Sequence, residues 1–75
     1  MYFWRVKLNF TIEIEKEEDG RWITEILEIP GVMTYGNSRE EAIKKVKALA
    51  FHIIAERIEN GENIPEIDIF FSIAA

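Results

Sequence analysis

A regular alternation of apolar and polar side chains near the start of the chain constrains the fold more than any other feature. Every even position over residues 2–14 is apolar, and the odd positions from 5 onward hold Arg5, Lys7, Asn9, Thr11, Glu13 and Glu15. A period of two indicates a β-strand with one buried face. We therefore predict a first strand over residues 2–14. Because strands usually have about 5–6 residues, we expect its early part to overhang the domain.

Turn signals divide the next part of the chain. The Asp-Gly pair at positions 19–20 supplies the positive-φ geometry that a tight hairpin needs. Residues 21–27 then read as a second strand. The Pro-Gly pair at 30–31 interrupts the pattern, because proline cannot donate to a strand ladder. Residues 32–35 give a short third strand, so the first half of the chain predicts a three-stranded meander.

A helix follows. Ser38 with Glu41 three residues later forms a capping box. Apolar residues then recur at helical spacing at Ala42, Ile43, Val46, Leu49, Ala50, Ile53, Ile54 and Ile58. Asn60-Gly61 is a typical stop signal. We predict a helix of about 20 residues whose apolar stripe packs on the sheet.

The end of the chain alternates again. Residues 67–73 place apolar side chains at the odd positions and read as a fourth strand. A right-handed crossover through the helix would place this strand beside the first. The predicted fold is α+β, a β-β-β-α-β arrangement with a four-stranded mixed sheet of order 3-2-1-4 and one helix packed on one face. We expect residues 1–75 to form a single domain.

Composition limits the function classes. Fourteen acidic and nine basic residues give a net charge of −5, which repels phosphate backbones and favours a basic protein partner. There is no cysteine, which excludes disulfides, thiolate metal sites and thiol nucleophiles. No apolar run approaches the roughly 20 residues of a membrane span, and no signal-peptide pattern is present. We expect a soluble, cytoplasmic protein.

Candidate catalytic residues are few. His52 is the sole histidine and lies opposite the apolar stripe, where an i, i+4 pair with Glu56 is the simplest role. Ser38 could be considered as a nucleophile, but its role as a helix cap already explains why a serine occurs there. The aspartates, Asp19 and Asp68, are far apart in the sequence. We predict that the chain is not an enzyme and has no catalytic residue, metal site or cofactor.

Two sets of side chains are candidate binding surfaces. The acidic set could complement a basic partner through charge, although an ordinary solvated hairpin explains it equally well. Its predicted partner-binding residues are Glu17, Glu18, Asp19, Glu25 and Glu28, with Glu13 and Glu15 nearby. The second set is aromatic and is hard to cover with one helix, which predicts a homodimer or higher homo-oligomer. Its residues are Tyr2, Phe3, Trp4 and Phe70.

Several short motifs occur in an order typical of one protein family. They are Gly20-Arg21-Trp22, Glu28-Ile29-Pro30-Gly31, Tyr35-Gly36 with Ser38, Glu40-Glu41-Ala42, and finally Gly61 and Pro65. In these motifs the chain resembles the N-terminal domain of HicB and related small antitoxin-like proteins, from about residue 10 to residue 65. The resemblance implies a truncated ribonuclease-H-like fold.

The resemblance also implies a function. Many HicB-like proteins belong to type II toxin–antitoxin systems and occlude a small basic HicA ribonuclease, which is similar to a double-stranded-RNA-binding domain. We therefore expect an antitoxin-like protein-binding domain. Full-length relatives add a C-terminal DNA-binding module that these 75 residues lack. We accordingly expect no separate DNA-binding domain and no direct nucleic-acid contact.

Two other functions stay open. The first is a stand-alone oligomeric structural or interaction domain without a toxin partner. The second is a metal-dependent nuclease, suggested only by the ribonuclease-H-like topology. Such a nuclease needs a carboxylate on the inward face of its first strand, where this chain has Leu8, Phe10 and Ile12.

Overall fold

A three-stranded sheet and one helix form the described part of the protein. The computed structural model describes residues 10–64, Ile67 and residues 71–74. The elements are β1 (Ile12–Lys16), β2 (Trp22–Ile26), β3 (Met33–Gly36) and α1 (Arg39–Glu59). The strands pair antiparallel in the order β1-β2-β3, and α1 packs on one face of the sheet. The predicted α+β class, the meander and the helix are confirmed.

The β1–β2 hairpin closes where the Asp-Gly pair predicted it. Gly20 has a φ of 90°, a conformation that glycine adopts without a steric penalty. The backbone N–H of Glu17 donates to the carbonyl of Arg21 at 2.7 Å. The carboxylate of Asp19 accepts from the backbone N–H of Arg21 at 3.0 Å and from its Nε at 2.7 Å. The turn is therefore held by its own residues.

The ends of α1 match the sequence signals. Ser38 Oγ accepts from the backbone N–H of Glu41 at 3.1 Å, and Glu41 Oε1 accepts from the N–H of Asn37 at 3.1 Å. The first bond satisfies a donor that the first turn of a helix leaves unpaired, and the second ties the residue before the cap to that turn. At the other end the N–H of Gly61 donates to Ile58, so that α1 ends at the predicted Asn-Gly stop.

One row of the helix supplies half of the buried apolar residues in the described part of the chain. Ala42, Val46, Ala50 and Ile54, each four residues apart, are buried. All but Ala42 belong to an apolar cluster with Ile26, Ile29, Val32 and Ile67. The buried stripe is narrower than predicted, and Ile58 is 47% exposed. The physical reason is that this three-stranded sheet is too narrow to cover half the circumference of a helix.

A small polar network joins the sheet to the start of α1. Thr24 is fully buried, and its hydroxyl lies 2.9 Å from both the Ala42 carbonyl oxygen and the Thr34 hydroxyl. The Thr34 hydroxyl also lies 3.1 Å from the same carbonyl. At the end of β3, Gly36 approaches the helix backbone so closely that a Cβ there would stand 2.5 Å from the Ala42 nitrogen.

The extent of the first strand differs from the prediction. β1 begins at Ile12 and continues to Lys16, whereas residues 2–14 were expected. Phe10 and Thr11 have no strand conformation, and residues 2–9 lie outside the described part. The neighbouring strand explains the difference, because β2 ends at Ile26 and the chain then turns away. A period-two pattern does not reveal where the pairing partner stops.

The described residues contain no fourth strand, so the mixed sheet of order 3-2-1-4 is corrected to three antiparallel strands. Ile67 is helical, and residues 71–74 have no regular structure. Residues 68–70 lie outside the described part. The N–H of Ile67 donates to the Ile64 carbonyl at 2.9 Å, and its side chain is buried in the core. The Ile67 N–H is therefore hydrogen-bonded within a local turn and does not pair with a neighbouring strand.

The close approach at Gly36 yields a stability prediction. Gly36→Ala should lower the free energy of unfolding by about 1–3 kcal/mol, because the new methyl group would overlap the Ala42 backbone. The measurement is urea denaturation of the purified protein. Asn37→Ala, at the exposed neighbouring position, is the control and should change stability by less than about 0.5 kcal/mol. Equal effects of the two substitutions would contradict the tight junction.

Candidate functional site

The sheet face that points away from α1 is the candidate functional site. The pairing register places Ile12 opposite Ile26 and Thr24 opposite Thr34. Because Thr24 and Ile26 are buried beneath the helix, the residues with odd numbers point the other way. We call this surface the outer face, and it consists of Glu13, Glu15, Ile23, Glu25, Met33 and Tyr35. None of the described elements covers it.

The outer face carries a concentrated negative charge. Glu13 stands directly opposite Glu25 across β1 and β2, and Glu15 follows two residues later. Like charges at directly opposed positions of a sheet destabilise it. The ion pairs in the described residues, Arg21 with Asp19 and Lys45 with Glu41, involve none of these three carboxylates. The isolated domain therefore maintains an unfavourable charge pair that a cation from outside would relieve.

Apolar side chains lie beside these carboxylates. Met33 is 46% exposed and Tyr35 is 43% exposed on β3, with Ile23 half-buried between the strands. The guanidinium carbon of Arg21 lies 4.7 Å from the centre of the Tyr35 ring, a cation–π distance. Aromatic and Met side chains are enriched at protein–protein interfaces, whose rim is polar.

The predicted partner-binding residues do not form one cluster. Glu17, Glu18 and Asp19 occupy the β1–β2 turn, Glu25 lies on the outer face, and Glu28 lies in the β2–β3 connection. β2 separates the first three from Glu28, so they lie at opposite ends of the sheet. Their role in binding stays a prediction. The apolar residues of the outer face, Ile23, Met33 and Tyr35, were not among the predicted binding residues. Their odd numbers place them on the same face of the sheet as Glu13 and Glu25, and this alternation could have identified them.

The carboxylate of Glu28 is hydrogen-bonded to Thr11, the residue just before β1. Its carboxylate accepts from the Thr11 backbone N–H and the Thr11 hydroxyl, each at 2.7 Å. The hydroxyl and then the backbone N–H of Thr11 hold the pKa of Glu28 below its ordinary value. Glu28 thereby fixes the chain just before β1.

Two other carboxylates have lowered pKa values. The backbone N–H of Arg21, and then its side chain, lower the pKa of Asp19. The N–H of Asn37, followed by the ammonium group of Lys45, lowers the pKa of Glu41. The contacts of Asp19 lie within the hairpin turn, and those of Glu41 lie at the start of α1.

An apolar groove runs between the edge strand β1 and the C-terminal half of α1. Its larger part has a volume of about 520 Å³, and Phe51, on its rim, is 71% exposed. The groove residues are Phe10, Ile12, Ile26, Lys47, Ala50, Phe51, Ile54, Ala55, Ile58, Ile67 and Phe71. The aromatic residues predicted to form an oligomer interface, Tyr2, Phe3, Trp4 and Phe70, lie outside the described residues.

The remaining candidate residues add no reactive site to this picture. His52 and Glu56 are exposed on α1, and the predicted pair between them is not formed. No group of three or more potential metal ligands occurs within the described ranges. In that same part of the chain, no helix is long and apolar enough to span a membrane.

Comparison with known proteins identifies two archaeal relatives. A UPF0150 protein of Archaeoglobus fulgidus is 34% identical over 59 residues, which cover 76% of this chain and 86% of the relative. A UPF0150 protein of Thermoplasma acidophilum is 29% identical over 58 residues, which cover 77% of this chain and 84% of the relative. No model of a protein family matches the chain, and no solved structure matches it.

The Glu28–Thr11 contact yields a prediction for titration. The pKa of Glu28 should lie below 4.5, and Thr11→Val should raise it by removing the hydroxyl donor. Thr11→Ser keeps the hydroxyl and is the matched control. The measurement is an NMR pH titration of the Glu28 side-chain carboxyl carbon. Identical titration curves in the wild type and Thr11→Val would refute the contact.

The same contact makes stability depend on pH. Because folding lowers the pKa of Glu28, its stabilising contribution is complete above the unfolded-state value near 4.5. That contribution is lost as the pH falls through the folded-state pKa. When the pH falls below the unfolded-state value, the free energy of unfolding of Glu28→Gln should therefore decrease less than that of the wild type.

Proposed function

This chain belongs to the UPF0150 family, and we propose that it is an antitoxin-like protein-binding domain. Its partner would be a small basic ribonuclease of the HicA type in a type II toxin–antitoxin system, neutralised by occlusion. The HicB-like motifs support this proposal from the sequence. The observation that carries it is the outer face, where three carboxylates on β1 and β2 lie beside exposed apolar side chains on β3 and no described element covers them.

Charge gives such a face a preference for basic partners. A lysine or arginine placed beside Glu13 and Glu25 would relieve their mutual repulsion as well as gain its own attraction. The net charge of −5 would also steer a basic protein towards the domain over a longer range. Met33 and Tyr35 would supply the apolar area that charge pairs alone do not provide.

Occlusion of a ribonuclease follows from the same electrostatics. A protein that binds RNA must present basic side chains to the phosphate groups, and these contacts provide much of its affinity. An acidic surface of another protein competes directly for those side chains. The proposed activity therefore requires no catalytic group, metal ion or cofactor on this chain, and it takes place in the cytoplasm.

The fold supports the same family of proteins at a coarser level. The order of three antiparallel strands followed by a helix is compatible with the truncated ribonuclease-H-like domain that the HicB resemblance implies. We extend the proposal to that fold and to a homodimer or higher homo-oligomer. Direct binding of nucleic acid is not part of it, because the outer face is acidic.

The alternative function is a stand-alone oligomeric structural or interaction domain without a toxin partner. The apolar groove beside β1 favours it, because Phe51 is 71% exposed there and Ile58 is 47% exposed. An exposed groove of this kind is typical of association surfaces. The two functions differ in whether a basic protein is bound at all.

A pull-down from a lysate of the source organism tests the proposal. The tagged chain, captured at low and high salt and analysed by mass spectrometry, should retain a small basic protein at low salt and lose much of it at high salt. That protein should cleave RNA, and an equimolar amount of the chain should inhibit the cleavage. Recovery of the chain alone would favour the stand-alone oligomer.

Charge reversal on the outer face should weaken the complex. We expect Glu25→Arg to raise the dissociation constant about tenfold, the scale of one close charge pair. Glu62→Arg, an exposed position after α1, changes the net charge equally and should raise the constant by less than about twofold, because exposed charges away from an interface contribute little. Isothermal titration calorimetry measures both. Equal losses would mean that only net charge matters and would reject the outer face as the binding site.

A further inference from the structure

The side chains of the outer face form two rows that cross the three strands. The pairing register gives the rows as Glu13–Glu25–Met33 and Glu15–Ile23–Tyr35. β1 therefore contributes only carboxylates, β3 contributes only apolar or aromatic side chains, and β2 contributes one of each kind. The surface changes from acidic to apolar across the strands and keeps the same character along each strand.

The dimensions of this surface match one α-helix. Neighbouring strands lie about 4.8 Å apart, so about 10 Å separate the side chains of β1 from those of β3. A helix with its side chains has a diameter of about 10–12 Å, and a single helix lying along the strands would cover all three. The opposite face of the same sheet provides an example, because α1 packs there against β2 and β3.

The spacing along the strands also suits a helix. Side chains on one face of a strand repeat about every 6.8 Å. Residues i and i+4 of a helix are separated by a rise of about 6 Å, and they lie on the same side of it. Successive side chains of one helical stripe can therefore contact successive side chains of one strand, such as Glu13 and Glu15 on β1.

Two other kinds of partner fit this surface poorly. Its depression between Glu13, Ile23 and Met33 has a volume of about 60 Å³, whereas small-molecule sites commonly have about 300–1,000 Å³. An added β-strand would bind the backbone groups at an edge of the sheet. It would therefore leave Ile23 and Glu25, on the central strand β2, without a contact.

We propose that the outer face receives one amphipathic helix of the basic partner protein. The helix lies along the strands, with a stripe of lysine or arginine over β1 and an adjacent apolar stripe over β3. Its basic residues contact Glu13, Glu15 and Glu25, and its apolar residues pack on Met33 and Tyr35. This inference rests on the proposed function and deepens it, because it names the structural element by which the partner binds.

Charge decides which stripe lies over which strand. The guanidinium carbon of Arg21 is 4.7 Å from the centre of the Tyr35 ring, so a cation already stands at one end of the β3 side chains. A basic stripe over β3 would meet this cation and no carboxylate of the outer face. Over β1 the same stripe would relieve the repulsion between Glu13 and Glu25, which stand directly opposite each other.

Synthetic peptides test the inference on the whole 75-residue chain. The matched peptide is a helix of about 20 residues with lysines along one stripe and leucines along the adjacent stripe. One control has a central proline, which breaks the helix, and the other has lysines and leucines on opposite faces. Isothermal titration calorimetry should show one matched peptide per chain and dissociation constants at least about tenfold higher for both controls. Equal binding of all three, or no binding of the matched peptide at millimolar concentration, would overturn the proposal.

NMR and charge variants test the position of the peptide. The chain has two methionines, so the methyl signal of Met33 is readily assigned, and it should shift when the matched peptide binds. Glu15→Lys should raise the dissociation constant at least about tenfold, and Glu15→Gln should raise it by a smaller factor. Glu59→Lys, at an exposed position on α1, is the matched control and should raise it by less than about twofold. An unchanged Met33 signal, or equal losses in Glu15→Lys and Glu59→Lys, would place the helix elsewhere.

A competition experiment separates this inference from the proposed function. If the lysate yields a basic ribonuclease that the matched peptide does not displace, the antitoxin function stands and the helical mode of binding is wrong. If the lysate yields the chain alone while the matched peptide binds and shifts Met33, the antitoxin function is rejected. The outer face would then be supported as a binding site for a basic helix of another protein.

Discussion

The junction between the sheet and the first turns of α1 is the contact on which the rest of the structure depends. The hydroxyl groups of Thr24 and Thr34 converge on the Ala42 carbonyl, and Gly36 lets the end of β3 come against the same residue. A buried hydroxyl is tolerated only when it is hydrogen-bonded, so this network fixes one relative position of helix and sheet. With that position fixed, the buried row of α1 falls on β2 and on the connection that precedes β3.

A single helix on a small sheet has an unavoidable consequence. It covers one face, so within the part of the chain that the structure describes the other face and both sheet edges are uncovered. In this protein the uncovered surfaces are chemically distinct. The outer face is acidic with exposed Met33 and Tyr35, the groove beside β1 is apolar, and the edge of β1 offers backbone groups. A domain that only had to fold would not need Glu13 opposite Glu25, because that pair weakens the sheet.

Much of the fold was determined by the sequence itself. The hairpin at Gly20, the cap at Ser38 and the stop at Gly61 were predictable because each depends on backbone geometry within a few residues. The order of the first three strands and the helical stripe followed from local periodicity. The tertiary structure alone decided where β1 begins, that Ile67 enters the core through a turn, and that Glu28 binds Thr11 and lies away from Glu25. These features depend on contacts between residues that are distant in sequence. A periodic pattern indicates which face of an element is apolar, but it does not indicate which residues that face contacts.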